Sequence, residues 1–324
     1  MITDNVIRND WHVVYSSAEL ADGSVAAVRL LGEDLVLWRW KGQAMAWLDL
    51  CVHRGSRFTM GRVLNGELVC PYHGWRYDRE GQCTLIPAQP NLPIPKRARA
   101  ITYNCQERYG FIWVCVGEPL GEIPALPEWD NETFIKVYTG PYEIAASAPR
   151  IVENVLDVTH FPFVHDDMLG IEGSPDEVSE YDVRMEADGL WTSPISVYQP
   201  VGDHRRKPVH TTYTFWCPRP CIAYLIKEFG EGLCFSHYMP ITPVGDGESI
   251  LWVLTSANFN KDDAEASITM RNDEIFTQDK PILENQRPSQ IPLDLRQELH
   301  IRADKLHVAY RRWLNEIGVT TGFG

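Results

Sequence analysis

The sequence contains no run of about 18 apolar residues, the length that a membrane-spanning helix needs. It opens Met1-Ile2-Thr3-Asp4-Asn5, without the basic n-region and apolar h-region of a secretory signal, so a cytoplasmic chain is the expectation. Positive charge is scarce: 30 Lys and Arg stand against 44 Asp and Glu, for a formal net charge of −14. That balance argues against a nucleic-acid partner and against an anionic membrane surface. No G-x-G-x-x-G follows a strand-like run, so the chain carries no dinucleotide fingerprint. Internal repeats and low-complexity segments are also missing. Six of the eight cysteines (Cys83, Cys105, Cys115, Cys217, Cys221 and Cys234) are scattered in apolar or strand-like contexts. They read as buried free thiols, which suits a reducing compartment.

What is present is a chain of 324 residues, enough for two domains and a sizeable core, with ordinary hydrophobic (44%) and charged (23%) fractions. Short β-branched and aromatic runs at 11–15, 25–31, 35–40 and 44–50 predict strands separated by Gly and Asp turns. Residues 75–85 predict a hairpin, 87–97 a proline-rich connection and 109–116 an apolar strand. Pro119, Pro124 and Pro127 mark a linker, which puts a boundary near 125: an all-β domain over 1–125 and a second domain over 126–324. The second domain predicts strands at 134–147 and through 181–258, and helices at 150–160, 262–286 and 296–317. Pro162 is expected to end or kink the first helix and Gly318 to end the last. Antiparallel sheet packed by helices is an α+β layout.

Chemistry concentrates in Cys51-x-His53 and Cys70-x-x-His73, two Cys-His pairs with sixteen residues between His53 and Cys70. Zinc takes two cysteines and two histidines in tetrahedral structural sites. A Rieske [2Fe-2S] centre puts two cysteines on one iron and two histidines on the other. The flanks favour the second reading. Gly55 and Gly74 follow close behind the two histidines, where backbone must crowd a bulky cluster, and Pro71 stiffens the second loop. Zinc fingers need no such paired, glycine-ended loops. At these residues the chain resembles the Rieske domain of the Rieske non-haem iron oxygenases.

A second cluster of ligand-type residues lies further on. Asn154, Asp157 and His160 fall at i, i+3 and i+6, on one side of the expected helix, and His165 follows Pro162. Two histidines can supply two legs of a 2-His-1-carboxylate facial triad, which leaves iron positions open for dioxygen. Asp166 and Asp167 are too near in sequence to supply the third leg easily. Asp273, Glu274, Asp279 and Glu284 are the later candidates, and chemistry alone does not choose among them.

The run from Asn154 to His165 resembles the mononuclear-iron motif of the same family, and Gln278 to Gln286 resembles its later segment with the third ligand. The resemblance spans nearly the whole chain. It is nearest to single-chain components such as vanillate and dicamba O-demethylases, and above all to saxitoxin-pathway Rieske hydroxylases. It implies a helix-grip catalytic domain and Fe(II) held by His160, His165 and Asp279. Pro281, two residues past Asp279, departs from the pattern and is expected to kink the helix. Asp157 is implied to accept the second N–H of His160 and to bond His73 of a neighbouring subunit, closing a homotrimer. Asn154 is a candidate either to support the ligands from behind or to bind the iron weakly itself. The implied reaction uses O2 as co-substrate and electrons from NAD(P)H through a separate reductase, with or without a ferredoxin. The substrate is a small aromatic or heterocyclic molecule, hydroxylated or oxidatively demethylated. The alternative is an aromatic-ring or diaryl-ether dioxygenase. A pure electron-transfer Rieske protein would leave the 200 residues after the linker without a role.

Arg54, Arg57, Arg62, Arg76 and Arg79 crowd residues 51–80, against Glu67, Asp78 and Glu80. This collar is a candidate dock for an acidic electron donor. His12, His204, His210, His300 and His307 read as ordinary surface or core residues. His237, among the aromatics of the second sheet, reads more as core than as pocket.

Overall fold

The computed structural model describes residues 1–202, 207–259 and 264–322, so His204 and the expected start of the 262–286 helix lie outside the described residues. The chain divides into two units, Met1–Ile123 and Pro124–Gly324.

The first unit holds a short helix α1 (Asn5–Arg8) and ten strands: β1 (His12–Ser16), β2 (Val25–Leu30), β3 (Glu33–Trp40), β4 (Gln43–Leu48), β5 (Arg62–Leu64), β6 (Glu67–Val69), β7 (Arg76–Tyr77), β8 (Cys83–Leu85), β9 (Thr102–Arg108) and β10 (Phe111–Cys115). They form a six-stranded antiparallel sheet in the order β1-β10-β9-β4-β3-β2 and a four-stranded one, β5-β6-β7-β8. Four of its hairpins close on a two-residue turn that ends in glycine: Leu31-Gly32, Lys41-Gly42, Asn65-Gly66 and Tyr109-Gly110, each with positive φ at both positions. This turn matches the right-handed twist of the strands it joins. Tyr109 and Gly110 are therefore not strand residues, contrary to the expectation of one strand over 109–116. The run before them, Thr102–Arg108, is too polar to read as a strand, yet Asn104–Arg108 pair residue by residue with β10 and Thr102 and Tyr103 pair with β4. Trp38, Trp47, Phe58 and Tyr77 fill the core between the two sheets, ring edge against ring face.

The second unit is built on β11 (Ile135–Ile144), β12 (Val183–Glu186), β13 (Gly189–Thr192), β14 (Ile195–Gln199), β15 (Val209–Arg219), β16 (Ile222–Glu228), β17 (Cys234–Gly245) and β18 (Glu248–Ala257). The antiparallel order is β11-β18-β17-β16-β15-β13-β12, with β14 on β15. Four helices accompany it: α2 (Ala148–Val155), α3 (Phe161–Val164), α4 (Ala264–Asn285) and α5 (Lys305–Glu316). A mostly β first domain and a sheet-rich second domain with few helices is the α+β layout expected.

Two helix expectations need correction. α2 stops at Val155, not at His160. Asp157 breaks it by turning its carboxylate back on the backbone N–H groups of Thr159 (2.8 Å) and His160 (3.2 Å). Pro162 then ends nothing: it sits in the first turn of α3, where its missing N–H costs no bond. The last helix begins at Lys305, not 296. Glu298 is drawn to Arg150 and Arg311, 2.6 Å from each, and only isolated 3-10 turns form over Leu295–Gln297 and Arg302–Asp304.

Candidate active site

In the first unit, Cys51 and His53 sit on the loop after β4, and Cys70 and His73 on the loop after β6. The two loops repeat one local design. The Cys51 N–H bonds Ser56 O and the Gly55 N–H returns to Cys51 O; the Cys70 N–H bonds Trp75 O and the Gly74 N–H returns to Cys70 O. Gly55 (φ 70°) and Gly74 (φ 68°) both turn left-handed to close these loops. The thiols are buried, 1% and 2% exposed, whereas His73 is exposed. The imidazoles lie 4.5 Å apart between centroids, with the Trp75 ring stacked 4.4 Å from His53. His53 Nδ1 is buried without a hydrogen-bond partner. A paired set of buried thiols facing two imidazoles, one with an orphaned nitrogen, fits a [2Fe-2S] cluster with Cys51 and Cys70 on one iron and His53 and His73 on the other. Tyr77 adds a feature that motif spacing does not reveal: its hydroxyl lies 3.2 Å from Cys51 Sγ.

In the second unit, His160, His165 and Asp279 converge, their ligand atoms all within 4.8 Å of one another. His160 leads into α3, His165 caps its end, and α4 delivers Asp279. Asp279 Oδ1 lies 3.5 Å from His160 Nε2 and 3.2 Å from His165 Nε2. Both rings turn Nδ1 the other way. That of His160 meets Asp157 Oδ2 at 2.9 Å, and that of His165 meets Gln278 Oε1 at 2.7 Å. Oxygen acceptors on both Nδ1–H groups leave both Nε2 lone pairs facing Asp279. His165 Nε2 is buried with no hydrogen-bond partner. This donor set, two imidazole nitrogens and one carboxylate, fits a divalent iron. Burial pushes the Asp157 carboxyl up and the His160 imidazole down, but their mutual attraction outweighs both. Asp157 ends well below the usual carboxylate range and His160 above the usual imidazole value.

The other carboxylates once open for the third position are engaged elsewhere. Asp273 accepts the Tyr142 hydroxyl at 2.6 Å, and Glu284 accepts the Ala145 N–H at 3.0 Å. Glu274 lines a different cavity, with Asp166 and Asp167. Asn154, which lines the cavity, donates to Asp279 Oδ1 at 3.2 Å, the same oxygen that faces the two Nε2 atoms. α4 continues through Pro281 as one helix; the proline removes one N–H, which would have reached the Thr277 carbonyl. Gln278 had no role assigned from sequence, although its place beside Asp279 was visible.

A narrow cavity opens at the three ligands, with about 80 Å³ of space for the centre of a water molecule. Phe161, Tyr213, Phe235, Met239 and Phe276 supply its apolar wall. Lys227, Arg271 and His237 supply polar groups. His237 is thus a cavity residue, not the core residue expected. The arginine collar of the first unit is largely engaged. Arg57 pairs with Asp34 at 2.6 Å, Arg76 with Glu67 at 3.7 Å, and Arg79 donates to Gln43.

Residues 10–96 match the Rieske [2Fe-2S] domain, and residues 144–319 match the vanillate O-demethylase oxygenase C-terminal domain. The chain belongs to the Rieske non-haem iron oxygenases. It is an oxidoreductase, the terminal oxygenase component related to demethylases and monooxygenases. The oxygenase is 31% identical to methylxanthine N1-demethylase NdmA of Pseudomonas putida, over 96% of this chain and 89% of that one. It is 28% identical to methylxanthine N3-demethylase NdmB of the same organism, over 97% and 90%. The structure of NdmA with caffeine superposes with a TM-score of 0.82 at 28% identity, covering 96% of this chain and 91% of that one. These relatives are N-demethylases, and particular closeness to the saxitoxin-pathway hydroxylases is not shown by them. Among the described residues no helix is long and apolar enough to cross a membrane.

Proposed function

We propose that this oxygenase uses His160, His165 and Asp279 to hold Fe(II), and Cys51, His53, Cys70 and His73 to hold the Rieske cluster. It hydroxylates or oxidatively demethylates a small aromatic or heterocyclic substrate. The observation that carries the reading is the buried, unpartnered Nε2 of His165 facing Asp279 and His160 at the mouth of an apolar cavity. Iron held there would supply reductive activation of O2. The chain's own residues do the rest. Asp157 and Gln278 fix the two imidazoles, Asn154 orients the Asp279 carboxylate, and the aromatic wall holds the substrate and excludes water. A hydroxylated methyl on oxygen or nitrogen collapses to formaldehyde, so demethylation and hydroxylation share one chemistry.

Electrons come from NAD(P)H through a separate reductase, directly or by way of a ferredoxin. The assembly is a cytoplasmic homotrimer in which the electron leaves the cluster at His73 of one subunit and would reach the iron site of the next through its hydrogen bond to Asp157. Exposure of His73 and partial exposure of the Asp157 side chain (16%) support this route. The test is reductase-coupled turnover under ¹⁸O2 on aryl ethers, aromatic acids and N-methyl heterocycles, with formaldehyde assay and product mass spectrometry. One labelled oxygen per turnover is expected in the organic products, counted as hydroxylated product or released formaldehyde. Two in a single ring product would make the protein a dioxygenase.

A further inference from the structure

Phe161 and Leu169 face two cavities at once. On one side is the iron cavity, with about 80 Å³ of space. On the other is an outer cavity of about 600 Å³ by the same measure, with Phe163, Val178, Tyr181, Val197, Tyr198 and Ile301 in its wall. Pockets that hold small molecules span roughly 300–1,000 Å³. The outer cavity falls within that range and the iron cavity well below it. A ring-bearing molecule therefore finds room outside before it finds room at the iron.

The partition between them is apolar. The Phe161 ring centroid lies 5.0 Å from that of His160, 6.1 Å from that of His165 and 5.5 Å from that of Tyr213, so Phe161 stands against both iron-holding imidazoles. Leu169 is tied by its own N–H to His165 O at 2.9 Å. At Gly170 a Cβ would lie 2.8 Å from Cα, N and Cγ of Pro162, so only glycine lets the chain rest on α3 and keep Leu169 beside Phe161. Neither side chain has a polar atom, and turning either to another rotamer breaks no hydrogen bond of its own. The adjoining cavity with Asp166, Asp167 and Glu274 also borders the iron cavity, through Phe235, Ile268 and Arg271. It is smaller, about 360 Å³, and its partition includes a charge-assisted bond from Arg271 Nη2 to Val201 O at 2.7 Å.

The cover of the outer cavity is weakly tied. Residues 165–182 run from α3 to β12 without a helix or strand. In compact domains such stretches longer than about 12–15 residues are commonly lids or binding loops. Both ends are fixed: Gly170 rests on Pro162, and the Tyr181 hydroxyl donates to Ala303 O at 2.8 Å and accepts the Leu306 N–H at 3.0 Å. Between them the chain is mostly exposed and is held by Asp176, which accepts the Tyr198 N–H, and by Glu180, 2.6 Å from Arg302. Both partners of that ion pair are exposed, and such a pair contributes little.

We propose that the aromatic or heterocyclic substrate is first held in the outer cavity, under the 165–182 segment, and reaches the iron as Phe161 and Leu169 swing aside. This rests on the oxygenase reading of the iron cavity and adds a second binding site and a route to it.

The test is rapid-mixing spectroscopy of the cluster- and Fe(II)-loaded protein, without reductase or O2, using two probes. 4-Nitrocatechol carries a ring and changes its visible spectrum on coordinating iron. Nitric oxide also coordinates Fe(II), with a band of its own, and is small enough to need no opening. Val178→Trp and Ser179→Trp, at half-buried and exposed positions of the outer wall, put an indole there without touching the iron cavity. Each is expected to slow arrival and departure of 4-nitrocatechol by the same factor, about tenfold or more, leaving its affinity and the nitric oxide rates unchanged. Leu169→Ala, which thins the partition, is expected to speed arrival severalfold. Met270→Trp, in the adjoining cavity, is expected to change neither probe. Iron content and the Rieske electron paramagnetic resonance signal identify any variant that has not folded. An arrival rate that both outer-wall variants leave untouched overturns the proposal. So does slowing by Met270→Trp, equal slowing of both probes, slowed arrival without slowed departure, no change in Leu169→Ala, or exclusion of 4-nitrocatechol from an iron that binds nitric oxide. Those results leave the iron reading standing. Failure of both probes to bind the wild-type protein removes that reading and this inference with it.

Discussion

Asp279 Oδ1 lies 3.2 Å from Nε2 of His165, and no hydrogen bond joins that nitrogen to any group. Two such atoms, buried and close, are stable beside each other when a cation lies between them. Asp279→Ala is therefore expected to empty the mononuclear site while leaving the Rieske centre intact. Iron analysis should show loss of the non-cluster iron, with affinity falling by more than the roughly 10–100-fold that loss of an outer partner costs. The Rieske electron paramagnetic resonance signal should persist and turnover should vanish. Retention of the third iron per chain would remove Asp279 from the ligand set.

Gln278 holds the far side of the same ring, at 2.7 Å. Gln278→Ala is expected to lower iron affinity about 10–100-fold, measured by chelator competition. Gln278→Glu keeps an oxygen acceptor at that place and should restore most of it. Equal loss in both variants would point to packing rather than to the hydrogen bond.

The Tyr77 hydroxyl stands 3.2 Å from Cys51 Sγ. A hydrogen bond to a cluster sulfur favours the reduced, more negative state. At about 1 kcal/mol for the bond, Tyr77→Phe should lower the cluster's midpoint potential by roughly 40 mV, read in a spectroelectrochemical titration. An unchanged potential would deny Tyr77 a tuning role.

Of the arginine collar, Arg54 and Arg62 are exposed, whereas Arg57 is paired with Asp34 at 2.6 Å. If the collar docks an acidic donor, Arg62→Glu should slow reductase-driven turnover about threefold or more at low ionic strength. The difference should shrink as salt rises, since exposed charges are screened within about 10 Å at 0.1 M salt. Peroxide-driven turnover, which needs no reductase, should be unchanged. Arg57→Glu should have the smaller effect, its charge being already shared with Asp34.

Arg311 is 2% exposed and bidentate to Glu153, at 2.7 and 2.8 Å, with a further bond to Glu298. Arg311→Met leaves Glu153 buried without its main partner. The expected loss of stability is about 3–5 kcal/mol, followed by urea denaturation of the second unit. The double variant Arg311→Met/Glu153→Leu should recover much of it, because the stranded charge is then gone.

Local chemistry was legible from the sequence because it is written over short distances. Cys51, His53, Cys70 and His73 sit on two loops closed by their own backbone bonds, and residue type with spacing is enough to identify a cluster site. His160 and His165 lie within one turn-helix segment, so their pairing was equally readable. The boundaries of α2 and α5 were not. Asp157 and Glu298 make side-chain bonds that helix periodicity cannot register, and those bonds end one helix and delay the other.

The sequence by itself determined which atoms were on offer: two thiols, four imidazoles, a set of carboxylates on the 264–285 helix, and no dinucleotide site. Only the tertiary structure decided which carboxylate meets the histidines, that Gln278 braces His165, and that His237 faces the cavity with Thr255 behind it. The reason is distance along the chain. α4 and β17 reach the site from far away in sequence, and their packing, not any local motif, sets which of their side chains point inward.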